Sequence, residues 1–315
     1  MIERQATMHR SIPLFGFVLA MAQCLQTPPT LLCTALLSAI LPLKAEVDLR
    51  PGAVLKLEFP ELPPTLYAQA KNDPVPATLT AQLPDNYAPE GRWPLFVFIA
   101  GGVGAKATDV SNARKIVGTA NYVVVGLPLF QRAFDPTEEA KGMALGVDDF
   151  DTLRNAYRIM LGKLMQSVPG IVAEGSAMGG FSNGAHATAL LIAGHDEFTL
   201  KHFRQFFFVD GGAPFLAAFG LMSPSLNRCR FLQLRGDQDL PGTGKKNPEW
   251  GSIRDRLNLI CDAVHGTARS RGLNWTQVIM RGRGHSFDPE FQVVVGQWIR
   301  GEKMDDVPPK TPVNP

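Results

Sequence analysis

The chain has 315 residues, 45% of them hydrophobic and 19% charged, with a formal net charge of +2. That length and apolar share belong to a globular chain with a real core and suit one large α/β domain. A charge so near neutral argues against a nucleic-acid binder that works through a basic field, and no repeat of solenoid or propeller period is present.

The first segment is apolar. No charge occurs between Arg10 and Lys44, and Pro28-Pro29 divides the run. Neither half reaches the roughly 20 apolar residues of a spanning helix. A basic start, an apolar stretch and Leu43-Lys44-Ala45 before Glu46 predict a secretory signal peptide over 1–45, cut near Ala45. An uncleaved N-terminal anchor is the other reading. Export, periplasmic or extracellular, follows from the first, with no stable membrane insertion after removal of the leader. Cys229 and Cys261 would remain, either as a disulfide that export permits or as buried free thiols. No C-x-x-C and no dense His/Cys cluster occurs, so no metal site is predicted.

From residue 46 the pattern changes. Residues 54–59 and 77–83 alternate apolar and polar, as half-exposed antiparallel strands do. Residues 93–100, 122–127, 206–209 and 231–234 are continuous or nearly continuous apolar runs, which fit strands buried on both faces of a parallel sheet. Residues 276–280 read as a further strand. Helical spacing marks Asp149 to Gln166, Asn183 to Ala193, Ile253 to His265 and Pro289 to Ile299. This alternation predicts a doubly wound, mostly parallel α/β sheet with helices on both faces. It occupies 46–301 as a single domain that begins with antiparallel strands. The polar, proline-rich tail, 302–315, is expected to be disordered.

Chemistry enters at Gly180-Phe181-Ser182-Asn183-Gly184, a G-x-S-x-G motif ahead of a helix. At a strand-turn-helix junction the two glycines allow close backbone contact and the serine is held out at the sheet edge. A serine hydroxyl needs a base. Of the six histidines, all but His9 lie beyond the leader. His186 follows Ser182 on the same helix, His195 and His202 flank a polar loop, and His265 sits at a helix end. His285, in Arg281-Gly282-Arg283-Gly284-His285, follows a strand on a loop that can turn over the site, and is the predicted base. The orienting acid is Asp239 by preference, then Asp237, both after the strand that ends at Leu234. Asp210, after Val209, is third. Oxyanion donors are expected from the N–H of Asn183 and from the glycine loop after residue 99, at Gly102 and Val103. Phe130, Phe134, Phe215 and Trp250 are candidate pocket walls or core.

Together these residues resemble the α/β-hydrolase fold family over about 78–301. Gly-Phe-Ser-Asn-Gly-Ala-His-Ala resembles the elbows of bacterial secreted esterases, the feruloyl-esterase and polyhydroxybutyrate-depolymerase-like group. Gly236-Asp237-Gln238-Asp239 resembles that fold's G-x-x-D acid loop, which favours Asp239, and Gly284-His285 its histidine loop. The resemblance implies a serine esterase that acts through an acyl-enzyme on a small or polymeric ester, without metal or organic cofactor. Two features depart from it. Ala100-Gly101 stands where many members carry His-Gly, and the small residues Gly175 to Gly179 weaken the strand expected before the elbow. A serine peptidase of the same fold, and a non-catalytic binding protein that kept it, are the competing readings.

Overall fold

The computed structural model describes residues 47–106, 109–132, 145–219, 221–238 and 253–304. The expected leader, and the expected tail from residue 305 on, lie outside them. Eight strands form one sheet: β1 Val54–Phe59, β2 Ala77–Gln82, β3 Trp93–Ile99, β4 Val123–Leu127, β5 Ile171–Phe181, β6 Gln205–Val209, β7 Arg230–Gly236 and β8 Asn274–Met280. Their order is β1-β2-β4-β3-β5-β6-β7-β8. β1 and β2 pair antiparallel, as does β2 with β4. Every later pairing is parallel.

The parallel strands are apolar throughout because both of their faces are covered. Leu95, Val97 and Ile99 of β3, with Phe206 and Phe208 of β6, enter one core. Their neighbours Phe96, Phe98, Phe207 and Val209 enter the other. Side chains alternate across a strand, so each run feeds both layers. The first layer is closed by α3 (Phe150–Ser167), α4 (Asn183–Ala193), α6 (Ala213–Phe219) and α7 (Ile253–Ser270). The second is closed by α2 (Ser111–Val117) and α8 (Pro289–Arg300). Two short helices, α1 (Leu66–Ala70) and α5 (Glu197–His202), complete the set among the described residues. This is the α/β-hydrolase fold. No helix among the described residues is long and apolar enough to cross a membrane.

β5 differs from its expectation. The small residues Gly175 to Gly179 do not interrupt it, and the strand runs through all 11 positions. The register against β3 shifts between Pro94 and Phe96, where β5 carries extra residues. Gly175, at φ +75°, turns the bulge. The Ser176 hydroxyl accepts from the Leu95 N–H at 2.8 Å and donates to the Val172 carbonyl at 2.6 Å. It thereby satisfies groups that the shifted ladder cannot. At Gly179 a Cβ would stand 2.2 Å from the Phe207 carbonyl oxygen, so close strand packing requires glycine there. Cys229 and Cys261 are both buried free thiols, not a disulfide.

Candidate active site

Ser182 stands between β5 and α4 with φ 53° and ψ −118°. That conformation is costly for a residue with a side chain, roughly 1–3 kcal/mol, and persists where the surroundings enforce it. The flanking glycines show what enforces it. A Cβ on Gly180 would lie 2.3 Å from the Ile99 carbonyl oxygen, and one on Gly184 would lie 2.0 Å from the same atom. The end of β3 therefore presses on the turn from below. The G-x-S-x-G spacing is the sequence trace of that contact.

The Ser182 Oγ lies 2.9 Å from Nε2 of His285. Nδ1 of His285 lies 2.9 Å from Oδ2 of Asp210. With Nδ1–H donating to the carboxylate, Nε2 is the acceptor for the serine hydroxyl. Phe181 packs against the imidazole, ring centroids 4.8 Å apart, and stacks in turn on Phe287. These rings pack the loop that carries His285 against the elbow.

The carboxylate at His285 is thus that of Asp210, the third choice from sequence. β6 lies beside β5, one strand nearer Ser182 than β7, and Asp210 directly follows its last residue. The chain bends at Asp210 with φ 50°, and Gly211 passes close under the elbow. A Cβ on Gly211 would be 2.5 Å from the Ser182 carbonyl oxygen. Asp237 has a different occupation. Its Oδ1 accepts from the Gly282 N–H at 2.7 Å and from Gln238 Nε2 at 3.0 Å, so it ties the end of β7 to the start of the histidine loop. Asp239, the first choice, lies outside the described residues. The chain order of serine, acid and histidine is kept with Asp210 in the middle.

One partner gave no signal in the sequence. Arg254, on α7, reaches Asp210 with Nη1 at 2.6 Å from Oδ1 and Nη2 at 3.2 Å from Oδ2. Both side chains are buried, 5% and 2% exposed. Nη1 also donates to the Gly236 carbonyl at 3.1 Å. Burial acts to raise the Asp210 pKa. The hydrogen bonds from His285 and Arg254, with the Arg254 charge, outweigh it and leave the carboxyl below its usual range. Asp210 is thereby held ionised. No spacing rule links residue 254 to residue 210, so periodicity could not reveal the pair.

His186, on α4, is half-buried among the same elements. Its Nδ1 accepts from the Gly212 N–H at 3.1 Å, and its ring meets Phe215 edge-on at 5.5 Å. Burial, and then the nearby His285, push its pKa down to about 4. As a neutral ring it braces the loop after Asp210. His202 bonds the Phe198 carbonyl, and His265 lies within α7.

The glycine loop after β3 sits against the elbow. A Cβ on Gly101 would come 3.0 Å from the Ser182 Cβ. Gly102 turns with φ +62°, and its carbonyl accepts from Asn183 Nδ2 at 2.9 Å. The Asn183 side chain thus binds this loop to the start of α4. Val103 packs on the core. Phe130 is fully buried against Tyr157 and is core, whereas Phe215 is half-buried beside His186. Phe134 and Trp250 lie outside the described residues. Among the described residues no group of His, Cys, Asp and Glu is arranged to hold a metal ion.

No protein-family model and no curated protein matches this sequence. Solved structures do. A ferulic acid esterase from Anaeromyces mucronatus, in complex with ferulic acid, is similar at 11% identity and TM-score 0.47, covering 83% of this chain and 96% of that one. An esterase from Pyrobaculum calidifontis is similar at 14% identity and TM-score 0.46, over 80% and 85%. An S-formylglutathione hydrolase from Agrobacterium tumefaciens is similar at 12% identity and TM-score 0.42, over 79% and 92%. Likeness at this level does not extend to a substrate.

Proposed function

We propose that this chain is a serine hydrolase of carboxylic esters, with Ser182 as nucleophile, His285 as base and Asp210 as orienting acid. The observation that carries the reading is the continuous relay of two 2.9 Å hydrogen bonds from Ser182 through His285 to Asp210. It joins three strand ends of one sheet edge at a strained serine. A hydrogen-bonded base is what activates a serine nucleophile, and backbone strain of this kind clusters at functional sites.

The steps follow from the geometry. His285 Nε2 takes the hydroxyl proton as Oγ attacks the ester carbonyl carbon, and the carbonyl π electrons move onto oxygen. N–H groups of Asn183 and of the Gly102–Val103 turn are the expected donors to that oxyanion. Collapse breaks the C–O bond, and the imidazolium returns its proton to the leaving alkoxide. A water, deprotonated by the same nitrogen, attacks the acyl-enzyme and releases acid and free Ser182. Base assistance is worth roughly 10²–10⁴ and each oxyanion donor roughly 10²–10³ in rate. Asp210 stays ionised while the imidazolium forms. The apolar leader adds export to the proposal.

The test is labelling of the purified protein by a fluorophosphonate, with the adduct located by peptide mass spectrometry. An adduct on Ser182, absent from Ser182→Ala, together with turnover of p-nitrophenyl esters, supports the reading. A folded protein that takes no label overturns it. Turnover of peptide anilides in preference to esters would move the activity to a peptidase.

A further inference from the structure

We propose that Arg254 is a positioning residue that sets the pH range over which the Ser182–His285–Asp210 relay works, extending it toward acid. This rests on the reading of Ser182 as a nucleophile. A lone carboxylate beside an imidazole favours the imidazolium, which has no free lone pair and cannot act as base. Here the carboxylate is shared. Its Oδ2 accepts from both His285 Nδ1 and Arg254 Nη2, and its Oδ1 takes the shorter bond from Arg254 Nη1. A guanidinium remains charged at any working pH. It balances the charge that would otherwise bind a proton on His285.

Other charges near the imidazole do not substitute for it. His186 on α4 is held neutral by burial. Asp237, at the end of β7, is bonded to the Gly282 N–H. Arg283, two residues before His285, is engaged by Glu290 and Asp288. Arg235, which lines the same cavity as Asp210 and Arg254, is engaged by Asp262 and by the Asn258 carbonyl of α7. The balance at Asp210 therefore depends on Arg254. His285 and Asp210 are joined by one hydrogen bond and present a single proton-binding unit to Arg254. Without the guanidinium the pair binds a proton more tightly.

The experiment is the pH profile of kcat/KM on p-nitrophenyl acetate for the wild type, Arg254→Lys, Arg254→Gln and Arg254→Met. Fluorophosphonate labelling of Ser182 is measured in parallel on each. Arg254→Gln and Arg254→Met should move the acid limb of the profile up by about one pH unit, a tenfold change in proton affinity. Arg254→Lys, which keeps the charge but not the fork, should leave the limb within a few tenths of a unit while lowering the plateau. A merely structural role would lower the plateau and leave the limb in place for all three, and that result overturns the proposal. Should Arg254→Met fail to fold, Arg254→Gln, which retains a donor to Asp210, decides alone. Absence of labelling in the wild type would instead remove the nucleophile reading and is read separately.

Discussion

Asp210 and His285 meet at 2.9 Å across the width of β7, from strands that are not neighbours in the sheet. Asp210 thus comes from the strand next to that of Ser182, and His285 from the far edge strand. If that contact orients the base, Asp210→Asn lowers kcat by about 10³–10⁴, because an amide no longer selects the Nδ1–H tautomer. Asp237→Asn and Asp239→Asn each stay within about tenfold of the wild type. Steady-state ester hydrolysis on the three variants checks this. A loss in Asp239→Asn as large as that in Asp210→Asn would reassign the acid.

That contact also shows where reading the sequence stops. The sheet was legible because parallel strands covered on both faces must be apolar throughout, and residues 93–100, 122–127 and 206–209 are. The elbow was legible because Gly180 and Gly184 are spaced by local geometry, and α4 appears over Asn183–Ala193 as its pattern predicts. The choice among aspartates was not local. It depends on how far each strand end lies from β5, which no spacing along the chain encodes. Arg254 escaped for the same reason. Helices α1, α2, α5 and α6 have 5 to 7 residues, too few turns to display a period. In β5 the small residues Gly175 to Gly179 lower strand propensity without breaking the strand. They are instead what lets Ser176 enter the bulge and Gly179 approach Phe207.

The two glycine environments predict opposite signs. Gly184→Ala places a methyl group 2.0 Å from the Ile99 carbonyl oxygen and 2.8 Å from that of Ala100, both in main chain that cannot rotate aside. The expected loss exceeds about 3 kcal/mol, with collapse of fluorophosphonate labelling. Gly162 sits within α3 with nothing within 4 Å of its Cβ position. Gly162→Ala should stabilise by about 0.5–1 kcal/mol through the lost freedom of the unfolded chain. Thermal melts of both variants test the pair. A neutral Gly184→Ala would mean that the elbow has more room than its geometry gives.

Ser176 replaces a rung of the β3–β5 ladder. Ser176→Ala removes the acceptor for the buried Leu95 N–H and leaves that donor unsatisfied. The cost should be about 1–3 kcal/mol in urea unfolding at constant m-value. Because Ser182 directly follows β5, its labelling should slow as well. Unchanged stability would show that Leu95 has another acceptor.

His186 gives the protein a calculable acid weakness. Its burial, reinforced by the neighbouring His285, holds its pKa near 4 when folded, against about 6.5 for a histidine in an unfolded chain. Between those values the unfolded chain binds a proton that the folded protein refuses. Stability therefore rises with pH across that window. The contribution of neutral His186 is complete above about pH 6.5, is lost as pH falls toward 4, and changes no further below it. Protonation would also place a donor where the Gly212 N–H now finds an acceptor, loosening the loop that carries Asp210. Depression of the Asp210 pKa acts in the same direction, but at lower pH. His186→Gln retains a carbonyl acceptor and cannot titrate. Between pH 7.5 and 4.5 the wild type should lose on the order of 2 kcal/mol more than His186→Gln, measured by urea unfolding at both pH values. Equal losses in the two proteins would show that His186 takes up its proton in the folded state and does not brace the acid loop as a neutral ring.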